Sequence, residues 1–240
     1  MSPTASPSGT LEDAYRALRE GRFVLLYDAD GREEEVDIFV AAQHATPPAV
    51  RALRRDAGGL VFLAVDPNVG QRLGLPFLQD IFADAAAKHP VMARLIPNDI
   101  AYDTRSSFSV TLNHRDTFTG ITDNDRSLTI TRFAALAERT ADKQLSDEAV
   151  QADFGVQFRA PGHVHLCVGA GGLLRERQGH TELAVALARL AGITPVVAGA
   201  EMLGDDGRAL PKKAAFAWAE ANGGVMLEGK DIIAAWEAQA

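Results

Sequence analysis

Ten residues, Asp28 to Asp37, carry six carboxylates, and apolar runs enclose them: FVLLY (23–27) before and IFVAAQ (38–43) after. Runs of that length and composition read as strands, which makes the acidic stretch the tip of a hairpin. Six like charges at one tip repel one another and need either solvent or a cation. Strand alternation would turn Glu33, Glu35 and Asp37 to one side. Three acids on one face suit a hard divalent cation such as Mg2+; a solvated tip is the other reading the residues allow.

The rest of the chain limits the fold that can hold this hairpin. Leu11, Ala14, Tyr15 and Leu18 recur at helical spacing up to Gly21. Thr46 and Pro47 open a helix to about Arg55, and DAGGLVFLAV (56–65) is a glycine turn entering a buried strand. Residues 78–93 read as helical or irregular, and SSFSVTLNH (106–114) alternates as a strand. TFTGITDNDRS (117–127) reads as a polar loop before an amphipathic helix over 128–138, and 139–153 as a surface loop or insertion. HVHLCVGA (163–170) and PVVAGAEML (195–203) are strands, with a helix over 181–191 between them and closing helices over 212–221 and 231–239. The irregular alternation predicts an α+β protein: a single domain with a mixed β-sheet flanked by helices, over residues 11–240. MSPTASPSGT (1–10) reads as a disordered tail rather than a signal peptide.

Several classes drop out. With 24 Lys+Arg against 32 Asp+Glu the net charge is −8, which disfavours nucleic acid as a partner, because phosphates demand a basic stripe. The single cysteine, Cys167, excludes an internal disulfide and multi-cysteine metal patterns, and fits a reducing cytoplasmic location. No apolar run approaches the roughly 20 residues of a membrane helix, so no membrane partner is expected.

Four further constellations carry chemistry. RQGHTE (177–182) stands at a helix entrance, where free N–H groups and the dipole favour a phosphate. Arg177 adds a guanidinium fork and Thr181 a hydroxyl, while His180 fits a metal ligand, an acid/base or a cap. In PGHVHL (161–166), His163 and His165 share a strand face. TGITDNDR (119–126), beginning at Thr119, could hold a polyol or be a well-capped turn. Glu201 ends a buried strand, where a carboxylate is costly unless paired or used.

Taken together, DGREEEVD, DAGGL, FTGITDNDR, PGHVHL, RQGHTE and the strand-end Glu201 closely resemble the 3,4-dihydroxy-2-butanone 4-phosphate synthase family, from about residue 11 to 238 and broken chiefly at 139–153. The LIPNDIAYDTRSSFSVTLNHR stretch looks like the archaeal-type, standalone branch. The resemblance implies a Mg2+-dependent lyase, with Mn2+ able to serve. Such an enzyme turns D-ribulose 5-phosphate into L-3,4-dihydroxybutan-2-one 4-phosphate and formate for riboflavin biosynthesis. By matching positions, it implies Glu33 and His180 as metal ligands and Arg177, Gly179, His180 and Thr181 as the phosphate grip. Arg32, Glu33, Asp37, Thr119 and Glu201 fall to the sugar, and His163 and Glu201 to turnover, with Glu35 and Asp28 as further catalytic candidates. It also implies a homodimer with its site at the subunit interface and one side chain coming from the neighbour, for which His163 is the candidate. Because the intermediates of such a reaction must not escape early, a closing lid is expected, and the acidic loop over 30–35 is the candidate.

Two departures from the family pattern stand out. Phe62 replaces the usual cysteine after GGL, and REEEVD replaces RENEGD, with Glu34 and Val36 at small or neutral positions. Phe62 leaves open a relative acting on another phosphorylated sugar, or a silent sugar-phosphate binder.

Overall fold

The computed structural model describes residues 9–97 and 99–239. The expected tail lies outside the described residues as far as residue 8. Gly9 donates its N–H to the Met226 carbonyl at 3.0 Å, and the Thr10 hydroxyl accepts from Asp13 N–H in a capping box that starts α1 (Leu11–Arg19).

The elements then run β1 (Val24–Tyr27), β2 (Val36–Ala41), α2 (Pro47–Ala52), β3 (Phe62–Val65), α3 (Pro67–Leu73), α4 (Leu78–Ala85), α5 (Val91–Leu95), β4 (Phe108–His114) and α6 (Asp123–Arg139). They continue through α7 (Asp147–Gln157), β5 (Phe158–Val168), α8 (His180–Leu190), β6 (Val196–Glu201), α9 (Lys212–Ala221), β7 (Val225–Glu228) and α10 (Gly229–Ala238). The strands form one mixed sheet in the order β4-β5-β3-β6-β2-β1-β7. β1 and β2 pair antiparallel as the expected hairpin, while β3–β5 and β1–β7 are the parallel contacts.

Helices cover both faces, so the central strands are apolar on both sides and fully buried. One core joins Leu25, Ile38, Leu63 and Val164 to Ile130 and Phe133 of α6. The other joins Leu26, Phe39, Phe62 and Cys167 to Leu183 and Leu187 of α8 and Ala14 and Leu18 of α1. Alternation places Asp37 on the α8 side at the start of β2, and the β2–β6 register sets it opposite Glu201. The site is therefore built at one end of the sheet, on the α8 face.

Several expectations need correction. Residues 139–153, read as a loop, contain the start of α7, whose Ser146 hydroxyl accepts from the Ala149 N–H. The loop over 117–127 ends at Thr122, the N-cap of α6, so that helix begins five residues before Leu128. α3, capped by Asp66 with Pro67 in its first turn, and the four-residue edge strand β7 were not anticipated. In each case the cap or strand signal is short, and tertiary packing supplies the rest.

Candidate active site

The acidic turn folds around Asp28. Its Oδ2 accepts the Glu33 N–H at 2.9 Å and Arg32 Nη1 at 3.1 Å, and its Oδ1 accepts the Glu35 N–H at 3.2 Å. Burial pushes the Asp28 pKa up, but the Glu33 N–H, the His180 charge and Arg32 outweigh it and hold it below the ordinary range. The turn is therefore an ordered, internally bonded loop, with Asp28 as its anchor.

Arg177 to Thr181 supply the second half. A Cβ on Gly179 would lie 2.2 Å from Arg177 Nη1 and 2.8 Å from Arg32 Nη2, so glycine lets both guanidiniums close over the α8 entrance. His180, in the first turn of α8, reaches back to the acidic turn. Its Nδ1 lies 3.0 Å from Glu33 Oε2, and its Nε2 lies 3.3 Å from the Glu35 carbonyl and 3.7 Å from Asp37 Oδ1. Burial alone would lower the His180 pKa; Asp37, Glu33 and Asp28 reverse that and raise it to about 9. Asp37 is pushed up to about 7, chiefly by burial, with His180 opposing and Glu201 and Glu33 adding to the shift. Burial also lifts Glu35, helped by Glu33, whereas burial of Glu33 is outweighed by His180 and Arg32 and its pKa falls.

Glu201 is placed by a glycine as well. Its Oε2 accepts the Leu60 N–H at 2.7 Å, and a Cβ on Gly59 would come within 2.4 Å of that oxygen. These groups bound a cavity of about 380 Å3, lined on its polar side by Arg32, Glu33, Asp37, Arg177, His180 and Glu201. Phe62, Phe108 and Cys167 form its apolar side. Cys167 thus faces the same cavity as Phe62, although it comes from another strand. Burial keeps it a thiol, with a pKa pushed up to about 12.

Ligand atoms of Asp28, Glu33 and His180 all lie within 4.8 Å of one another. Beside them Asp37 Oδ1 is buried with no hydrogen-bond partner, an orphaned acceptor that a cation would satisfy. Carboxylate oxygens with one imidazole suit Mg2+ or Mn2+ better than a soft metal. The residues present fit a divalent cation, and binding one would displace the His180 proton.

The other candidates lie elsewhere. Glu35 and Thr181 line the cavity, but Thr119 and His163 do not. Between Leu112 and Asn113, β4 advances one residue, while its partners on β5 run from Val164 to Arg159. Residues 160–163 therefore bulge from the sheet. His163 is exposed on that bulge, its N–H donating to Asn113 Oδ1 at 2.9 Å. Asn113 Nδ2 in turn donates to the Thr119 carbonyl at 3.4 Å, so Thr119 and His163 are held together at a second place. Next to Thr119, Phe118 is 94% exposed.

Sequence reasoning missed two residues. Glu182, fully buried, accepts from Arg177 Nη1 at 2.6 Å and from the Ala170 N–H at 3.0 Å; its place in the RQGHTE block was the available signal. Asp103, in irregular chain, bonds both Arg32 and Arg177, and no periodicity marks it.

Fold and cavity define a class: an α+β protein with a carboxylate–imidazole cluster at the sheet end, next to an arginine-lined anion cradle. The family model described as 3,4-dihydroxy-2-butanone 4-phosphate synthase matches residues 12–235, and the chain belongs to that family. It is 46% identical over 224 residues to the 3,4-dihydroxy-2-butanone 4-phosphate synthase of Archaeoglobus fulgidus, covering 92% of each chain. To that of Methanothermobacter thermautotrophicus it is 42% identical, covering 93% of this chain and 94% of the other. A solved 3,4-dihydroxy-2-butanone 4-phosphate synthase in complex with two magnesium ions superposes with a TM-score of 0.69 at 26% identity, covering 96% of this chain and 97% of that one. No helix among the described residues is long and apolar enough to cross a membrane.

Proposed function

We propose that the chain converts D-ribulose 5-phosphate to L-3,4-dihydroxybutan-2-one 4-phosphate and formate, as a Mg2+-dependent lyase of riboflavin biosynthesis in which Mn2+ can serve. The observation that carries this reading is the Asp28–Glu33–His180 cluster, whose Glu33 and His180 line one cavity with Arg32 and Arg177. It joins a place for a divalent cation to a place for a phosphate. Family membership and the magnesium-bound relative support it. The catalytic domain spans residues 11–240.

Glu33 and His180 would hold the cation, which supplies a Lewis acid for the negative charge that develops on the substrate carbonyl. Arg177, the α8 entrance and Thr181 take the phosphate. Arg32, Asp37 and Glu201 reach the sugar hydroxyls. The reaction begins with loss of the C3 proton and departure of the C1 hydroxyl. Asp37 and Glu201, opposite one another at the sheet end, are the carboxyls that move protons in these steps. C5, carrying the phosphate, then migrates from C4 to C3, so that the C4–C5 bond breaks as the C3–C5 bond forms. Water adds to the C4 aldehyde left behind, and cleavage of the C3–C4 bond releases C4 as formate. The turn over 30–35 acts as the lid, moving about its Asp28 anchor.

The protein acts as a homodimer. His163 and Thr119 are held together by Asn113, with His163 and the neighbouring Phe118 exposed and both His163 and Thr119 outside the cavity of their own chain, which supports a site completed by His163 from a second copy.

The test is formate release from ribulose 5-phosphate with Mg2+, with EDTA, and with Mg2+ restored. Formate that appears, stops and returns is expected. Binding without formate indicates a sugar-phosphate sensor, and conversion without formate indicates an isomerase.

A further inference from the structure

The Arg177 guanidinium is engaged on both edges. Nη1 donates to the buried Glu182 at 2.6 Å, while Nε and Nη2 both donate to Asp103 Oδ2, at 3.0 Å and 2.6 Å. Arg32 Nη2 donates to the same Asp103 oxygen at 2.7 Å. Three charged N–H groups from two arginines thus meet on one carboxylate oxygen. The Nε/Nη2 edge is the one that grips an oxyanion with two parallel bonds, and here a residue of the chain itself fills it.

The two carboxylates on Arg177 differ in kind. Glu182 lies in the first turn of α8, fully buried, and also accepts the Ala170 N–H; it is a fixed support. Asp103 lies in chain outside every helix and strand, next to Tyr102, whose ring sits 5.3 Å from the Arg32 guanidinium and which is 49% exposed. The contacts seen to hold Asp103 against the arginines are charged hydrogen bonds.

We propose that Asp103 is an internal competitor for the substrate phosphate: its carboxylate occupies the Arg32–Arg177 cradle in the ligand-free protein and moves aside when the phosphate binds. The inference rests on reading Arg177 as the phosphate grip. A tethered carboxylate has a high effective concentration at the cradle, so every incoming anion meets the same added cost, and weakly held anions never fill the site. The two arginines, meanwhile, stay together and desolvated between turnovers, already set for the phosphate.

The test is a 31P NMR titration of the metal-free protein at a pH of about 8, using inorganic phosphate, mostly a dianion there, and dimethyl phosphate, a monoanion. Asp103→Asn, which preserves shape, and Asp103→Ala are each compared with the parent chain, with Arg177→Ala as reference. Both Asp103 variants are expected to tighten both ligands by the same factor, roughly tenfold, since the cost of moving Asp103 does not depend on the ligand. Arg177→Ala should weaken both. Unchanged or weaker binding in the Asp103 variants, with Arg177→Ala still weak, would overturn the inference while leaving the phosphate site intact. So would tightening by about the square of the monoanion factor for the dianion, the mark of a fixed repelling charge. If Arg177→Ala binds phosphate as the parent does, the phosphate reading itself fails, and the inference with it.

Discussion

The acidic turn and the Thr119–His163 region are both dense in polar side chains, yet they close in different ways. The turn finds its partners within the chain: Asp28 binds its own backbone, and Glu33 meets His180 across 147 residues of sequence. The Thr119–His163 region is equally well built, through Asn113, but it leaves His163 and Phe118 facing outward. One region is bonded up within a single copy, while the other turns its polar and aromatic groups outward, as a site completed by a second copy would require.

The strongest way to break this contrast is to remove the residues proposed to hold the cation. Glu33→Ala and His180→Ala should each lower formate release by on the order of a thousandfold or more, as a Lewis acid worth several kcal/mol is lost. Mn2+ binding followed by electron paramagnetic resonance should weaken in parallel. Retained Mn2+ affinity in both variants would remove the cluster from the account.

Next in size is the phosphate side of the same cavity. Arg177→Ala should raise the apparent KM for ribulose 5-phosphate by about ten- to a hundredfold, with kcat at saturation changed far less. An unchanged KM contradicts the assignment.

The outward-facing half is sharpened by mixing. Glu33→Ala and His163→Ala should each be inactive, and co-refolding them in equal amounts should restore about a quarter of parental activity. Half of such dimers pair unlike chains, and each of these keeps one intact site of two. If mixing restores nothing, both regions serve the cavity of a single chain.

The smallest effect concerns the turn itself. Glu34 adopts a φ of 60°, in the left-handed region that a glutamate occupies at a cost. Its one compensation is the Gly31 N–H, 2.8 Å from Oε1. Glu34→Asn, whose short side chain tolerates that backbone, should raise stability by less than about 1 kcal/mol, a Tm gain of about 2 °C by calorimetry. A lower Tm would show that the Gly31 bond outweighs the backbone strain.

The same contrast explains what could be read from the residues. The hairpin, the α8 entrance and the strand ending at Glu201 follow from local patterns: apolar runs, glycine turns, and a helix signal right after His180. The meeting of Glu33 with His180 is visible only through the family resemblance, because nothing local links two segments so far apart in the chain. Asp103 lies in the LIPNDIAYDTRSSFSVTLNHR stretch that carries the resemblance, but its role was not legible there, since the stretch has no period and the role comes from two arginines folded over it. The helix over 147–157 was hidden for a related reason: Ser146 caps it, but its apolar face is defined mainly by packing on β5 and α3. Cys167 and Phe62 lie about a hundred residues apart in the chain, and only the parallel β3–β5 pairing brings their strands side by side.

One measurement tests the central claim most directly: following ribulose 5-phosphate labelled with 13C at C4 by NMR, with the protein and Mg2+. The account predicts that the label leaves as formate, that the phosphorylated product carries none of it, and that both signals stop with EDTA. Label kept in a phosphorylated product, or formate released unlabelled, would contradict it.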